Sequence, residues 1–174
     1  MGSRSAVLTT DTCERALDAV RPLLDAQLRE GALFGVSHGS LIVLDPCVSY
    51  TSAHAGGPES TGFREEVILW THAFGDPTTW SSDFAVFARA KAFASFRHGL
   101  PSDELVTRFP YLLEPGMTKY GGSCVDPVGG LTVAFSGAAP HHDRLIGETV
   151  LAALRAECAV TMAAILADPD RHIL

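Results

Sequence analysis

Lys119-Tyr120-Gly121-Gly122-Ser123-Cys124, then Gly129-Gly130-Leu131-Thr132-Val133-Ala134-Phe135-Ser136-Gly137-Ala138, and then Asp143, form the stretch from which the fold of this chain is read. Residues 123–126 and 131–136 read as short strands, and Pro127-Val128-Gly129-Gly130 between them has the composition of a hairpin turn. Gly121 and Gly122 carry no Cβ, so the backbone there can approach another group closely. That suits either a bulge at strand entry or an edge that faces a ligand. Ser136 and Gly137 end a strand just before a helix, where free N–H groups can meet an anion. An ordinary strand-to-helix turn has the same signature.

Working outward, residues 11–30 predict a first helix, capped by Asp11 with Glu14 as the capping-box partner. Leu17, Val20, Leu23, Leu24 and Leu28 recur at helical spacing along it, and Pro22 predicts a kink or a break. Two β-like runs follow, at 33–37 and 40–45, the second stopped by Pro46. Residues 53–64 read as the tip of a long hairpin, and 66–74 as a strand ended by Gly75-Asp76-Pro77. A second helix spans 82–97, capped by Ser81 or Ser82, with Phe84, Phe87, Ala88, Phe93 and Phe96 as an aromatic buried side. A short helical turn starts at Ser102, and a last helix runs from about Asp143 to Ala167. That last helix is apolar nearly all round after Arg155, which predicts a subunit contact and a homo-oligomer. The order helix, strands, helix, strands, helix predicts an α/β sandwich of two or three layers. Its antiparallel sheet would have about five strands flanked by helices, profilin-like in outline. Residues 1–174 read as a single domain with a hairpin insertion near 46–64.

Composition narrows the classes. The chain has 174 residues, 47% of them hydrophobic and 19% charged, with a formal charge of −7. Disorder needs the opposite balance, and an acidic chain lacks the positive field that nucleic-acid binding requires. No uncharged apolar run of about 18 residues occurs, so no membrane span is expected. The four cysteines (13, 47, 124, 158) form no CxxC pair, which predicts reduced thiols and a cytoplasmic setting. Walker, dinucleotide-binding, nucleophile-elbow and HExxH signatures are all missing.

The quoted stretch, joined to Ala88-Arg89-Ala90-Lys91-Ala92-Phe93-Ala94-Ser95 upstream, resembles the GlcG/HbpS-like haem-binding family over roughly residues 65–160. That module also occurs at the C-terminus of some corrinoid adenosyltransferases. In the family, a helix with an A-x-x-K-A-x-T/S-A-like stretch precedes a G-G-x-P strand. A glycine hairpin, a G-A-I-G-V-S-G-A-like strand and an acidic residue opening the last helix follow. Cys124 stands where the family has proline, and Leu44-Asp45-Pro46 matches an Asp before a tight turn, with 47–64 as an insertion. The histidine that some relatives place on the first helix has no counterpart in residues 11–30. The resemblance implies a pocket for haem or a similar planar, anionic small molecule.

The residues suggest how such a pocket would work. Trp70, Phe84 and Phe87 would line an apolar slot, or else form an aromatic core. Lys91 would meet a carboxylate beside the Gly121, Gly122 and Ser123 backbone and Ser136, or it would snorkel to the surface. His72 is the candidate iron ligand, or it lies on a solvated strand face. An alternative is a small-molecule enzyme in the same pocket, performing proton transfer, cyclisation or hydrolysis of an organic acid. His72 or His141 would then be the base, and Cys124 a candidate nucleophile or else a small buried hydrophobe.

Overall fold

Strand alternation decides which side chains meet which helix. The structure, a computed structural model, describes residues 5–29, 37–48, 67–168 and 170. Helix α1 (Thr10–Gln27) leads into strand β1 (Gly39–Leu44) and strand β2 (Ile68–Phe74). Helix α2 (Phe84–His98), the short helix α3 (Ser102–Arg108), strands β3 (Ser123–Val125) and β4 (Thr132–Ser136), and helix α4 (Pro140–Ala167) follow. All pairings are antiparallel, in the order β2-β1-β4-β3. The described sheet thus has four strands rather than about five. Most of the expected strand at 33–37 and the loop at 53–64 lie outside the described residues, as do His54, His172 and most of the expected insertion.

Every residue of β1 is buried, because both faces of the sheet are covered. On one face Leu41, Val43, Val133 and Phe135 pack with Leu17 and Leu24 of α1 and with Ile146, Val150 and Leu154 of α4. On the other, Ile42, Leu44 and Ala134 meet Ala88 and Ala92 of α2. Helix α2 comes close to the sheet because its inner face is made of small side chains, with Lys91 set among them. The result is three layers: α1 and α4, the sheet, then α2.

Local chemistry sets the helix ends. Thr9, not Asp11, caps α1, its Oγ1 accepting from Thr12 N–H at 3.2 Å. Pro22 sits inside α1 without ending it. Asp83 caps α2 by accepting from Val86 N–H at 3.1 Å, two residues later than the sequence places the start. Helix α4 begins at Pro140, whose fixed φ suits a first helical position, rather than at Asp143. By length and composition α4 is apolar enough to cross a membrane, contrary to the sequence reading. Its Ile146, Val150, Leu151 and Leu154 are core, while Val160 (64%) and Leu166 (78%) lie exposed on its distal half.

Candidate functional site

Ser136 follows Ala134 on the strand, so period-two alternation turns it toward α2. Lys91 reaches it from the middle of α2. The Lys91 Nζ donates to Ser136 Oγ at 3.2 Å, to Phe135 O at 3.1 Å, and to Asp143 Oδ2 at 2.5 Å. Asp143 comes from the first turns of α4, and its Oδ1 accepts from Ala138 N–H at 2.7 Å. The lysine and the aspartate are 2% and 1% exposed. Three acceptors therefore meet the three N–H bonds of an ammonium, and the ion pair ties α2, β4 and α4 together.

Burial opposes both charges. It pushes the Asp143 carboxyl up to about 6, against the downward pull of Lys91 and of the Ala138 and Gly137 amides. It also draws the Lys91 ammonium below its ordinary value, while Asp143 and then Asp103 pull it back up. Removing ions from water disfavours charge; the close partner restores it.

Gly122 completes the cluster. Its φ is +119°, and a Cβ there would stand 2.5 Å from the Cβ of Asp143 and 3.1 Å from Lys91 Nζ. Gly121 lies against Asp103 of α3, where a Cβ would overlap the carboxylate. Ser123 is bound internally: its Oγ donates to Lys91 O at 3.0 Å and shares a hydrogen bond with Ser95 Oγ at 2.6 Å. Its N–H donates to Ser102 Oγ at 3.0 Å. This serine pins β3 to α2 and α3.

A cavity of about 320 Å³ opens on the pair, and its lining includes Phe84, Phe87, Lys91, Tyr120, Ser136 and Asp143. Phe87 and Tyr120 meet edge to face at 5.7 Å, and Trp80 packs on Phe84 at 5.6 Å. Four residues singled out in the sequence (Phe84, Phe87, Lys91 and Ser136) thus share one cavity. Asp143 and Tyr120 belong with them, although sequence reading placed neither in a site.

The other expected residues lie elsewhere. His72 pairs with Leu41, and Trp70 with Val43, so both share the α1-facing side of the sheet. There Trp70 and His72 stack at 5.6 Å. Burial lowers the pKa of His72 and the charge of Arg21 adds to the effect, against Asp18 and Asp25. The expectation that Trp70 and His72 share one slot with Phe84 and Phe87 is corrected by this alternation, which puts the two pairs on opposite faces of the sheet. His141 is exposed on the first turn of α4, its ring 4.0 Å from that of His142, and does not line the cavity.

Cys124 takes the small-hydrophobe reading. It is 3% exposed on the α4-facing side, and burial pushes its thiol up to about 12. A thiol held protonated is a poor nucleophile. Iodoacetamide at pH 8 is therefore expected to label the exposed Cys47 while leaving Cys124 intact in folded protein, as peptide mapping would show. Rapid labelling of Cys124 would contradict its burial.

A three-layer domain with α1 and α4 on one side of a four-stranded antiparallel sheet and α2 on the other has the HbpS-like fold. A solved double mutant of HbpS from Streptomyces reticuli is 22% identical to this chain, covering 91% of it and 89% of that chain, with a TM-score of 0.50. A second HbpS crystal structure is 21% identical over 91% of this chain and 92% of that one, with a TM-score of 0.48. No protein-family model matches the sequence, and no curated protein matches it either.

Proposed function

We propose that the cavity between α2 and the start of α4 binds a small, planar organic molecule bearing an acidic group. One observation carries this reading: aromatic walls (Phe84, Phe87, Tyr120) surround a floor made by a fully buried lysine–aspartate pair. Flat apolar walls with a few convergent polar groups are the usual make-up of a small-molecule site, and about 320 Å³ is at the lower end of the range for such sites, roughly 300–1,000 Å³.

Haem, which the family resemblance implies, meets these residues in part. The aromatic walls suit one edge of a macrocycle, and Tyr120 is the cavity side chain of a type that can hold haem iron. The size favours a single ring system over a whole tetrapyrrole. Hemin titration followed at the Soret band tests this directly. A shift no stronger than an albumin background favours the smaller ligand; a tight, saturable shift lost in Tyr120→Phe favours haem.

Binding should respond to pH with a definite sign. Above about 6 the Asp143 carboxylate faces the cavity and repels an anion. Below that value it is neutral, leaving the Lys91 charge less opposed. Asp103 of α3 also acts on Lys91, and Arg144 pairs with Asp103 at 3.3 Å. The affinity for benzoate, measured calorimetrically, is expected to rise several-fold from pH 7.5 to 5.5 and to be flat in Asp143→Asn. Affinity independent of pH in the parent protein would remove Asp143 from the site.

A second reading, an enzyme acting on an organic acid in the same cavity, is favoured by the position of Asp143. It is a carboxyl with a near-neutral pKa in contact with a buried amine, which suits proton transfer. The base would then be Asp143 rather than His72 or His141. Self-association through the exposed distal half of α4 is part of the proposal, and sedimentation of Val160→Lys against the parent chain tests it.

A further inference from the structure

We propose that Lys91 forms an imine with the carbonyl carbon of a planar aromatic aldehyde or ketone held in this cavity, with Asp143 carrying the proton. The inference rests on the cavity being a ligand site, as argued above. The chain uses eleven arginines and two lysines, Lys91 and Lys119. A buried cation with a purely structural task is commonly arginine, which cannot lose its proton; lysine can, and so can become a nucleophile. Lys91 and Asp143 both line the cavity, and Asp143 Oδ2 lies 2.5 Å from Nζ as proton acceptor. Gly122 keeps room beside Nζ, and the Phe84, Phe87 and Tyr120 rings accept a flat aryl group.

The step balances within the site. Nζ gives one proton to Asp143, and its lone pair forms a C–N bond while the carbonyl π pair moves to oxygen. A proton passes from nitrogen to that oxygen, with Ser136 Oγ within reach of Nζ as relay. Asp143 then protonates the hydroxyl, the C–O bond breaks and water leaves. Ammonium plus carbonyl has become iminium plus water, and a cation still faces the Asp143 carboxylate. No oxidant or reductant takes part.

The test treats the whole chain with 4-carboxybenzaldehyde and cyanoborohydride, which fixes any imine as a stable amine, followed by intact mass and peptide mapping. Only Lys91, Lys119 and the α-amino group can carry the adduct. A single adduct at Lys91 is expected, retained in Lys119→Arg, lost in Lys91→Arg, and formed roughly a hundredfold more slowly in Asp143→Asn. Terephthalate, which has no aldehyde, should bind and block the labelling. If terephthalate binds by calorimetry but Lys91 stays unlabelled, the imine is overturned and the binding site stands. If neither binding nor labelling occurs, both are overturned. Labelling confined to Lys119 or the α-amino group also overturns the imine. Mapping on the parent chain decides the matter even if Lys91→Arg does not fold.

Discussion

Lys91→Met is expected to lower the unfolding free energy by roughly 3–5 kcal/mol, the usual cost of leaving one member of a buried ion pair alone. The measurement is the urea midpoint at constant slope. The loss should depend on pH. The Asp143 pKa is already raised from 3.8 to about 6 in the folded protein, and losing Lys91 raises it further. A carboxyl whose folded pKa is raised contributes least stability when ionised, because the folded state holds a proton that the unfolded chain has released. Stability of the variant therefore falls as pH rises from about 4 through the raised pKa. The deficit against the parent should be smaller at pH 5 than at pH 8. An equal deficit at both values would mean that Lys91 contributes packing alone.

Gly122→Ala should be almost as damaging, by about 3 kcal/mol. The added methyl requires a left-handed backbone of φ +119° and meets the Cβ of Asp143 at 2.5 Å. Strain of that kind costs of order 1–3 kcal/mol, and overpacking a similar amount. Asp143 cannot yield without disturbing its bonds to Lys91 and Ala138. The expected sign is a lower melting temperature together with weaker benzoate binding, since the methyl also crowds Nζ. Gly99→Ala is the control: φ is +65° there, but no atom lies within 4 Å of the added methyl. It should lose only the backbone term.

How much of this was legible in the sequence differs from element to element. The hairpin of β3 and β4 could be read because turn chemistry is local: Asp126 N–H donates to Leu131 O and Gly130 N–H to Asp126 O, both at 2.8 Å. The layering of α2 on the sheet was not legible: its phenylalanines read as the buried side, whereas the small Ala88 and Ala92 are what pack on the sheet, and Phe84 and Phe87 are only half-buried. Nor was the choice of sheet face. His72 and Trp70 stand on a recognisable strand, yet which side they take depends on register with β1, a long-range property. Asp143 was visible as the acidic residue opening the last helix but not as a partner of Lys91, 52 positions away. The available signal was the lysine itself: a cation among core-facing alanines needs a counter-charge, and few acids lie near the glycine-rich strands. Tyr120 read as loop because nothing in its neighbourhood is periodic.

All three N–H bonds of the Lys91 side chain already end on oxygen atoms of the protein itself. A guest molecule at that floor has no vacant valence to satisfy, so its arrival is an exchange in which a native contact is surrendered. Affinity then measures the difference between two sets of bonds rather than the strength of one. Selection would fall on molecules whose own oxygen can stand in for the one displaced.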